Sequence, residues 1–139
     1  MAQFEELKEQ GIFPLGEKNE AYAQFFTGQS YLKALAQAPD GHFGVGNVTF
    51  EPGCRNNWHR HLGGYQILLV TGGQGLYQEA GKPAQLLHQG DVVVIADGVK
   101  HWHGATADSW FSHVAITVGQ AEWLEEVSDQ DYAQAYPGK

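Results

Sequence analysis

The sequence predicts an all-β fold, a sandwich or barrel of short strands, from three observations. Six apolar or alternating runs of strand length lie between residues 45 and 118, each bounded by turn residues. Glycine makes up 18 of the 139 residues, roughly twice its average share, which is typical of many tight turns. The single cysteine, Cys54, excludes an internal disulfide. Stability must then come from a core, and a chain of this length can bury about two-thirds of its unfolded surface.

The first 39 residues are predicted to form an extension to the barrel. Residues 1–10 place Phe4 and Leu7 on one side of a short peripheral helix. Pro14 and Gly16 indicate a connecting loop over residues 11–18. The stretch to residue 37 mixes aromatic residues with alanines and leaves its secondary structure open. Its aromatic-rich part, residues 22–31, is a candidate strand for pairing with a second copy of the chain.

The barrel core is predicted over residues 40–119, within one domain that spans residues 1–139. Its strands are the runs at residues 45–50, 65–71, 75–79, 84–88, 91–95 and 110–118. Residues 120–139 form a predicted helical tail. There Ser128 precedes Asp131 by three residues, which indicates a helix N-cap and a helix over 129–135 that ends near Pro137.

Charge and hydropathy exclude several classes of function. The chain has 8 basic and 16 acidic residues, a formal charge of −8, and no run rich in Lys or Arg. This composition argues against binding to nucleic acid or to an anionic membrane surface, because both require clustered positive charge. No apolar stretch approaches the length of about 18 residues that crosses a bilayer, and the first residues do not resemble a signal peptide. A cytoplasmic location is therefore expected.

The histidines form two closely spaced pairs. Four of the seven lie in His-x-His segments, at His59 and His61 and at His101 and His103. Alternate side chains of a strand share a face, so each pair can direct both imidazoles at one point. Neutral imidazole is the commonest metal ligand in proteins. Two such pairs therefore predict a metal site in the barrel.

The segments around these pairs resemble the two conserved motifs of the cupin superfamily. The first has a glycine, five residues, and His-x-His, here Gly53 to His61, and the second runs here from Gly90 through Gly98 to His101. The resemblance implies a double-stranded β-helix, the cupin jelly-roll barrel, with short N- and C-terminal helices. The wider run from Phe25 to Val118 also resembles small single-domain cupins of the carboxymuconolactone-decarboxylase-associated type.

The resemblance also implies a ligand set, with one departure from the usual pattern. His59, His61 and His101 occupy the histidine positions, but Gln66 stands where most cupins have glutamate. Three histidines and a glutamine are the ligands of small manganese-dependent cupins with hydroxynitrile lyase activity. Because an amide cancels no charge, the full +2 of a divalent ion would remain at the site. Mn is favoured over Fe, Zn or Ni, and a metal-free binding barrel is the alternative.

Other residues near the motifs have two possible roles each. His103 is either a proton donor and acceptor for catalysis or a hydrogen-bond donor that orients a ligand. His113 is either a proton shuttle on the barrel-lining face or a core histidine. The tryptophans near the histidines, Trp58, Trp102 and Trp110, either wall a pocket or pack in the core.

Two arginines near the motifs are candidates for holding a substrate carboxylate. Arg55 is preferred over Arg60, because strand alternation directs the side chain of Arg60 away from the site.

The leading functional hypothesis is a metal-dependent enzyme of the lyase, decarboxylase or isomerase type that acts on a small oxygen-bearing or anionic substrate. A metal-dependent dioxygenase is the runner-up, because cupin sites with three histidines can hold Fe(II) with open positions. A non-catalytic module that binds a small molecule is a further alternative. By analogy with small cupins, we expect a homodimer or a higher homo-oligomer.

Overall fold

The computed structural model describes residues 3–10 and 12–136, and it has a mainly β architecture. A short helix lies at each end of the strands: α1 at Phe4–Gln10 and α2 at Asp129–Gln134. The strands are β1 at Glu17–Lys18, β2 at Phe26–Thr27, β3 at Ser30–Gln37, β4 at Phe43–Phe50, β5 at Arg55–Asn56, β6 at His59–Glu79, β7 at Gln85–His88, β8 at Val92–Ile95, β9 at His101–Ala105 and β10 at Phe111–Trp123. In the described ranges, neither helix has the length and apolar character to cross a membrane.

The strands form one curled sheet whose order is β1, β3, β4, β10, β6, β9, β5 and β2, with β7 and β8 also paired to β6. The first half of the long strand β6 pairs with β10 and β8, and its second half pairs with β7. Because β6 changes neighbours along its length, the sheet closes around a core. The predicted all-β fold, a jelly-roll barrel with short terminal helices, is confirmed.

Two predicted strand boundaries differ from the structure. The runs at residues 65–71 and 75–79 belong to the single strand β6, with a bulge rather than a turn between them. The extra residue of the bulge is Thr71, and Gly73 pairs with Phe111 just after it. Gly73 has a φ of 75°, and a Cβ on it would lie 1.8 Å from the carbonyl oxygen of Trp110. The glycine therefore permits the close approach of the chain that enters β10, and it does not end a strand.

The sheet also extends beyond the predicted core at both ends. Strand β3, in the stretch whose structure the sequence left open, pairs with β4 of the same chain. Strand β10 continues to Trp123, so residues 120–123 are strand rather than part of a helical tail. The predicted helix N-cap is correct, since the Ser128 hydroxyl accepts a hydrogen bond from the backbone N–H of Asp131 at 3.1 Å. Pro137 lies outside the described residues.

Two clusters of buried side chains make up the core. The larger lies between the walls of the barrel and includes Phe50, Leu68, Ile95 and Phe111. The smaller joins Trp102 to Val127 and Tyr132 of the C-terminal segment. Helix α2 is only 6 residues long, and isolated helices of that length are unstable in water. Its stability therefore comes from this packing.

Candidate metal centre

Three of the predicted metal ligands lie together inside the barrel. His59 and His61 are at the start of β6, and His101, the first residue of β9, is directly opposite His59 in the register of the sheet. All three side chains are buried, and one potential ligand nitrogen from each lies within 4.8 Å of the others. The arrangement brings residues 40 positions apart in sequence to a single point.

Backbone carbonyls orient two of these rings. Nδ1 of His59 donates to the carbonyl oxygen of Asn57 at 2.8 Å, and Nδ1 of His101 donates to that of Val99 at 2.9 Å. A proton on Nδ1 leaves Nε2 with a free lone pair, which is the form that binds a metal ion. Nε2 of His101 is buried and has no hydrogen-bond partner among the described residues. A metal ion would satisfy this nitrogen.

Gln66 adds an amide oxygen to the same cluster. Its Oε1 lies 3.1 Å from Nε2 of His61. Its Nε2 donates to the Thr117 hydroxyl on β10 at 2.9 Å, which turns the oxygen towards the histidines. The donor set is therefore three imidazoles and one amide, all uncharged, and it suits a divalent transition-metal ion that brings its own charge.

Burial keeps the three histidines neutral near pH 7. Loss of solvation lowers the pKa of His59 well below its ordinary value, and a charge on His101 would lower it further. The same loss of solvation lowers the pKa of His101 to about 4 and also lowers the pKa of His61. Metal binding requires imidazole without the second proton. The site is therefore ready to bind at neutral pH without first releasing protons.

His103 and His113 form a second, adjacent cluster. Nε2 of His113 lies 3.2 Å from Nδ1 of His103, and the His103 ring centroid is 5.6 Å from that of His59. Asn56 holds His103 from the other side: its Oδ1 accepts from the backbone N–H of His103 at 3.0 Å, and its Nδ2 lies 3.3 Å from both ring nitrogens. Burial lowers the pKa of His103 well below its usual range and that of His113 to about 3.

Both clusters border a cavity of about 370 Å³, near the lower end of the range for small-molecule sites. The polar end of the cavity presents His59, His61, Gln66, His103 and His113. Most of the remaining wall is apolar and comes from strands β2, β3, β4 and β10 and from the segment before β2; it includes Tyr22, Phe26, Leu32, Ala34, Val48, Ala115 and Trp123. The cavity can therefore hold a small, partly apolar molecule against the metal-binding side chains.

Trp123 is a wall residue that the sequence analysis did not identify. Its ring lies 4.6 Å from that of His59, and Phe25 stacks on it with an interplanar angle of 2°. The sequence analysis assigned residue 123 to a helical tail. Strand alternation in β10 could have identified it. Every second residue of this strand faces the cavity, including His113, Ala115 and Thr117, and the same period continued along the strand reaches Trp123.

The tryptophans that the sequence singled out do not line this cavity. Trp102 is fully buried in the smaller core, where its indole N–H donates to Oε1 of Gln78 at 3.0 Å. Trp110 contacts Phe4 of α1, and Trp58 packs against the ammonium of Lys100. Of the two roles proposed for them, packing is the correct one.

The preference for Arg55 as a substrate anchor is wrong. Its guanidinium binds the Asp129 carboxylate at 2.7 Å and the carbonyl oxygen of Val127 at 2.8 Å, and it lies over the Tyr132 ring. Strand β5 is only two residues long, too short for strand alternation to fix where Arg55 points. Arg60 does point away from the site, as predicted, and pairs with Glu122. The thiol of Cys54 is buried, which raises its pKa to about 12 and makes it a poor nucleophile.

Comparison with known proteins adds three findings. The Cupin domain family matches residues 46–117. The (R)-mandelonitrile lyase of Granulicella tundricola is 44% identical over 115 residues, which cover 79% of this chain and 87% of that protein. A cupin-like protein from Thermotoga maritima has a solved structure with 45% identity and a TM-score of 0.85, covering 93% of this chain and 99% of that one.

A more distant structure shares the fold alone. The cupin 2 conserved barrel domain protein from Rhodopseudomonas palustris is 16% identical, with a TM-score of 0.64 over 85% of this chain and 80% of that one. At such low identity the common feature is the barrel, and its chemistry is not transferred.

Proposed function

Since this chain belongs to the Cupin domain family, we propose that it is a metal-dependent lyase that cleaves a small cyanohydrin. In this proposal His59, His61, Gln66 and His101 hold one divalent transition-metal ion, with Mn favoured over Fe, Zn or Ni. The observation that carries the proposal is the convergence of buried, uncharged donors on one point at the end of a small cavity. The 44% identity to a mandelonitrile lyase supports the substrate class.

The donor set suits this reaction because it leaves the charge of the ion uncompensated. A divalent ion bound there would supply a Lewis acid that stabilises negative charge on the substrate oxygen. A glutamate at position 66 would cancel one unit of that charge, whereas the amide of Gln66 cancels none. The apolar side chains of Phe26, Leu32 and Val48 lower the local dielectric on one side of the substrate, which strengthens these electrostatic interactions.

Proton transfer is assigned to the second histidine cluster. The neutral ring of His103 accepts the hydroxyl proton of the cyanohydrin, while the electron pair of the breaking C–C bond leaves with cyanide. The remaining electrons on oxygen form the carbonyl group, and the proton passes to cyanide to give hydrogen cyanide. His113, 3.2 Å from His103, holds the acceptor ring in place and supports its charge during the transfer.

The test combines metal analysis with an activity assay. Protein reconstituted separately with Mn, Fe, Zn and Ni is assayed for its metal content and for release of benzaldehyde from mandelonitrile, measured by absorbance. We expect one metal ion per chain and cleavage by the Mn form. The double variant His59→Ala/His61→Ala should lose both properties. The variant His42→Ala, at an exposed histidine, should retain both.

Two results would overturn the proposal in favour of the alternatives. Oxygen consumption by the Fe(II) form, without cyanohydrin cleavage by any metal form, would identify a dioxygenase. Thermal stabilisation by small ligands that survives chelation, without stoichiometric metal after reconstitution, would identify a binding module. Both arms use the same purified protein, so the three functions are compared directly.

A further inference from the structure

Asn19 is a buried polar residue on the cavity wall that the proposed reaction does not use. It lies in the segment between β1 and β2 and is only 5% exposed. Its side chain borders the same cavity as the metal-binding histidines, on a part of the wall that also presents Phe26 and Leu32. A buried amide among apolar side chains is costly unless it makes hydrogen bonds. The partners of this amide therefore indicate what it can bind.

The contacts of Asn19 within the chain leave one of its polar atoms without a partner. Ser30, the first residue of β3, holds Asn19 twice: its carbonyl oxygen accepts from the backbone N–H of Asn19 at 2.9 Å, and its hydroxyl accepts from Nδ2 at 3.2 Å. These two bonds fix the amide with Nδ2 towards Ser30. Oδ1 is buried and has no hydrogen-bond partner among residues 3–10 and 12–136. A hydrogen-bond donor on a molecule in the cavity would satisfy it.

The register of β3 explains why Asn19 belongs to the cavity wall. Alternate residues of this strand line the cavity, from Leu32 to Ala34 and Ala36, and Ser30 lies on the same face two residues earlier. Strand β1 pairs with the same part of β3 and ends immediately before Asn19. Asn19 therefore continues the apolar row of β3 at the N-terminal end of that strand.

The two polar regions of the cavity lie on different walls. The histidines proposed as metal ligands are on β6 and β9, whereas Asn19 is held by β3. Strands β4 and β10 lie between β3 and β6 in the sheet, and they contribute apolar side chains such as Val48 and Ala115 to the cavity. A molecule that reaches both polar regions therefore needs an apolar body and two polar groups.

The lining of the cavity restricts the chemistry of the second group. Among the described residues, no charged side chain lines the cavity. A carboxylate or an ammonium at this position would be buried without an ion partner, which is costly. An amide oxygen only accepts hydrogen bonds. The group that Oδ1 of Asn19 can bind is therefore an uncharged donor, and a hydroxyl on an aromatic ring supplies both this donor and the apolar body.

We propose that Asn19 is a specificity-determining residue that accepts a hydrogen bond from a ring hydroxyl of the substrate. The inference rests on the proposed lyase function and narrows its substrate class to cyanohydrins that carry a hydroxylated aromatic ring. Sites that hydrogen-bond a substrate hydroxyl discriminate against the analogue that lacks it, because the polar group of the protein is then left unpaired. Asn19 supplies such a group at a distance from the reacting atoms.

The test measures binding separately from cleavage. NMR titrations of the metal-loaded wild type give dissociation constants for benzyl alcohol, its meta- and para-hydroxy derivatives and its para-fluoro derivative. Fluorine is close to hydroxyl in size but donates no hydrogen bond. We expect one of the two hydroxy derivatives to bind ~10-fold more tightly than benzyl alcohol, the effect of one hydrogen bond. The fluoro derivative should bind within about twofold of benzyl alcohol, since it adds no hydrogen bond.

Three variants assign this preference to Asn19. Asn19→Leu keeps a similar volume without an acceptor, so it should abolish the preference for the hydroxy derivative while still binding benzyl alcohol. Ser30→Ala is a milder change that frees the amide to turn, and it should reduce the preference to about threefold. The matched control is Asn47→Leu, the same substitution at an asparagine that is 3% exposed and does not line this cavity. It should keep the full preference, and thermal unfolding shows whether each variant retains its fold.

Two results would overturn the inference. One is a wild type that binds the hydroxy derivatives no more tightly than benzyl alcohol, or does not bind them, which would mean that solvent satisfies Oδ1 equally well. The other is a preference that persists unchanged in both Asn19→Leu and Ser30→Ala.

Cleavage assays on mandelonitrile and its ring-hydroxylated derivatives separate this inference from the proposed function. Cleavage of mandelonitrile without any preference for a ring hydroxyl, in binding or in kcat/KM, would leave the lyase function and overturn the role of Asn19. A binding preference that Asn19→Leu abolishes, without cleavage of any cyanohydrin, would overturn the lyase function. The role of Asn19 in binding a ring hydroxyl would then remain.

Discussion

The two His-x-His segments have the same spacing but different positions relative to their neighbours. In β6 both His59 and His61 contribute a nitrogen to the buried group of three, whereas in β9 only His101 does so. His103 lies two residues farther along β9, about 6.7 Å away, where its neighbours are Asn56 and His113. Spacing determines which face of a strand a pair occupies. The register with the adjacent strands determines which cluster each member joins.

The largest expected effect comes from removing His101, the histidine of the second His-x-His segment that is proposed as a metal ligand. His101→Ala should weaken metal binding at least ~100-fold. One of the four proposed donors is lost, and the other three no longer hold the ion in a fixed geometry. Activity should fall with metal content. Metal competition assays and elemental analysis measure the change. Full metal occupancy in this variant would contradict the assignment of His101 as a ligand.

His103→Asn should show that His101 and His103, the two histidines of the second His-x-His segment, have different roles. We expect metal content to stay at the wild-type level while kcat falls by about 10²–10⁴, the usual contribution of a positioned proton acceptor. Asparagine fills similar space and forms hydrogen bonds but cannot accept the proton. If His103→Asn instead lost its metal in the same assay as His101→Ala, the two residues would belong to one cluster and the comparison would fail.

A smaller effect on kcat is expected from changing Asn56, which holds His103 in place. Asn56→Ala removes both side-chain contacts to His103 and should lower kcat about tenfold with little change in metal content. Asn57→Ala is the matched control, because Asn57 holds His59 through its backbone carbonyl, which the substitution retains. Steady-state kinetics on metal-loaded protein distinguish them. Equal kcat values for the two variants would count against a positioning role for Asn56.

The smallest effect concerns stability at acid pH. Burial lowers the pKa of His113 to about 3, whereas in the unfolded chain it titrates near 6.5. Between these values the unfolded state binds a proton that the native state does not, so His113 lowers the free energy of unfolding by about 1.4 kcal/mol for each pH unit below 6.5. His113→Asn should remove this part of the pH dependence.

Urea unfolding of chelated protein between pH 6.5 and 5 measures the slope. His42→Asn replaces an exposed histidine and should leave the wild-type slope unchanged. An unchanged slope in His113→Asn would mean that the ring is solvated in the native state. His113 would then not be a buried partner of His103. The contrast drawn above between the two His-x-His segments would lose one of its grounds.

Local patterns in the sequence were sufficient for features that depend on neighbouring residues. Alternation correctly placed His113 and Thr117 on the cavity side of β10. The Ser128 cap also follows from residues three positions apart, since it satisfies a backbone N–H of the first helical turn. The assignment of His101 needed more, and it came from the resemblance to cupin motifs and not from spacing.

Features that depend on distant residues could not be predicted in the same way. Arg55 binds Val127, 72 positions away, and no local pattern indicates that contact. Trp123 reaches His59 because the end of β10 pairs with the start of β6, where the two residues are opposite each other. The glycines at residues 72 and 73 look like a turn locally, but both continue β6 by pairing with β10, and the chain at Trp110 approaches Gly73 closely there.

The sequence by itself therefore determined the all-β class, the faces of the main strands and, through its motifs, the set of residues from which a metal centre could be built. These follow from backbone geometry within single strands and turns. Only the tertiary structure decided that His103 joins His113, that Arg55 holds the C-terminal segment and that Trp123 walls the cavity. Each of these contacts joins separate strands or segments, and the register and curvature of the whole sheet set their distances.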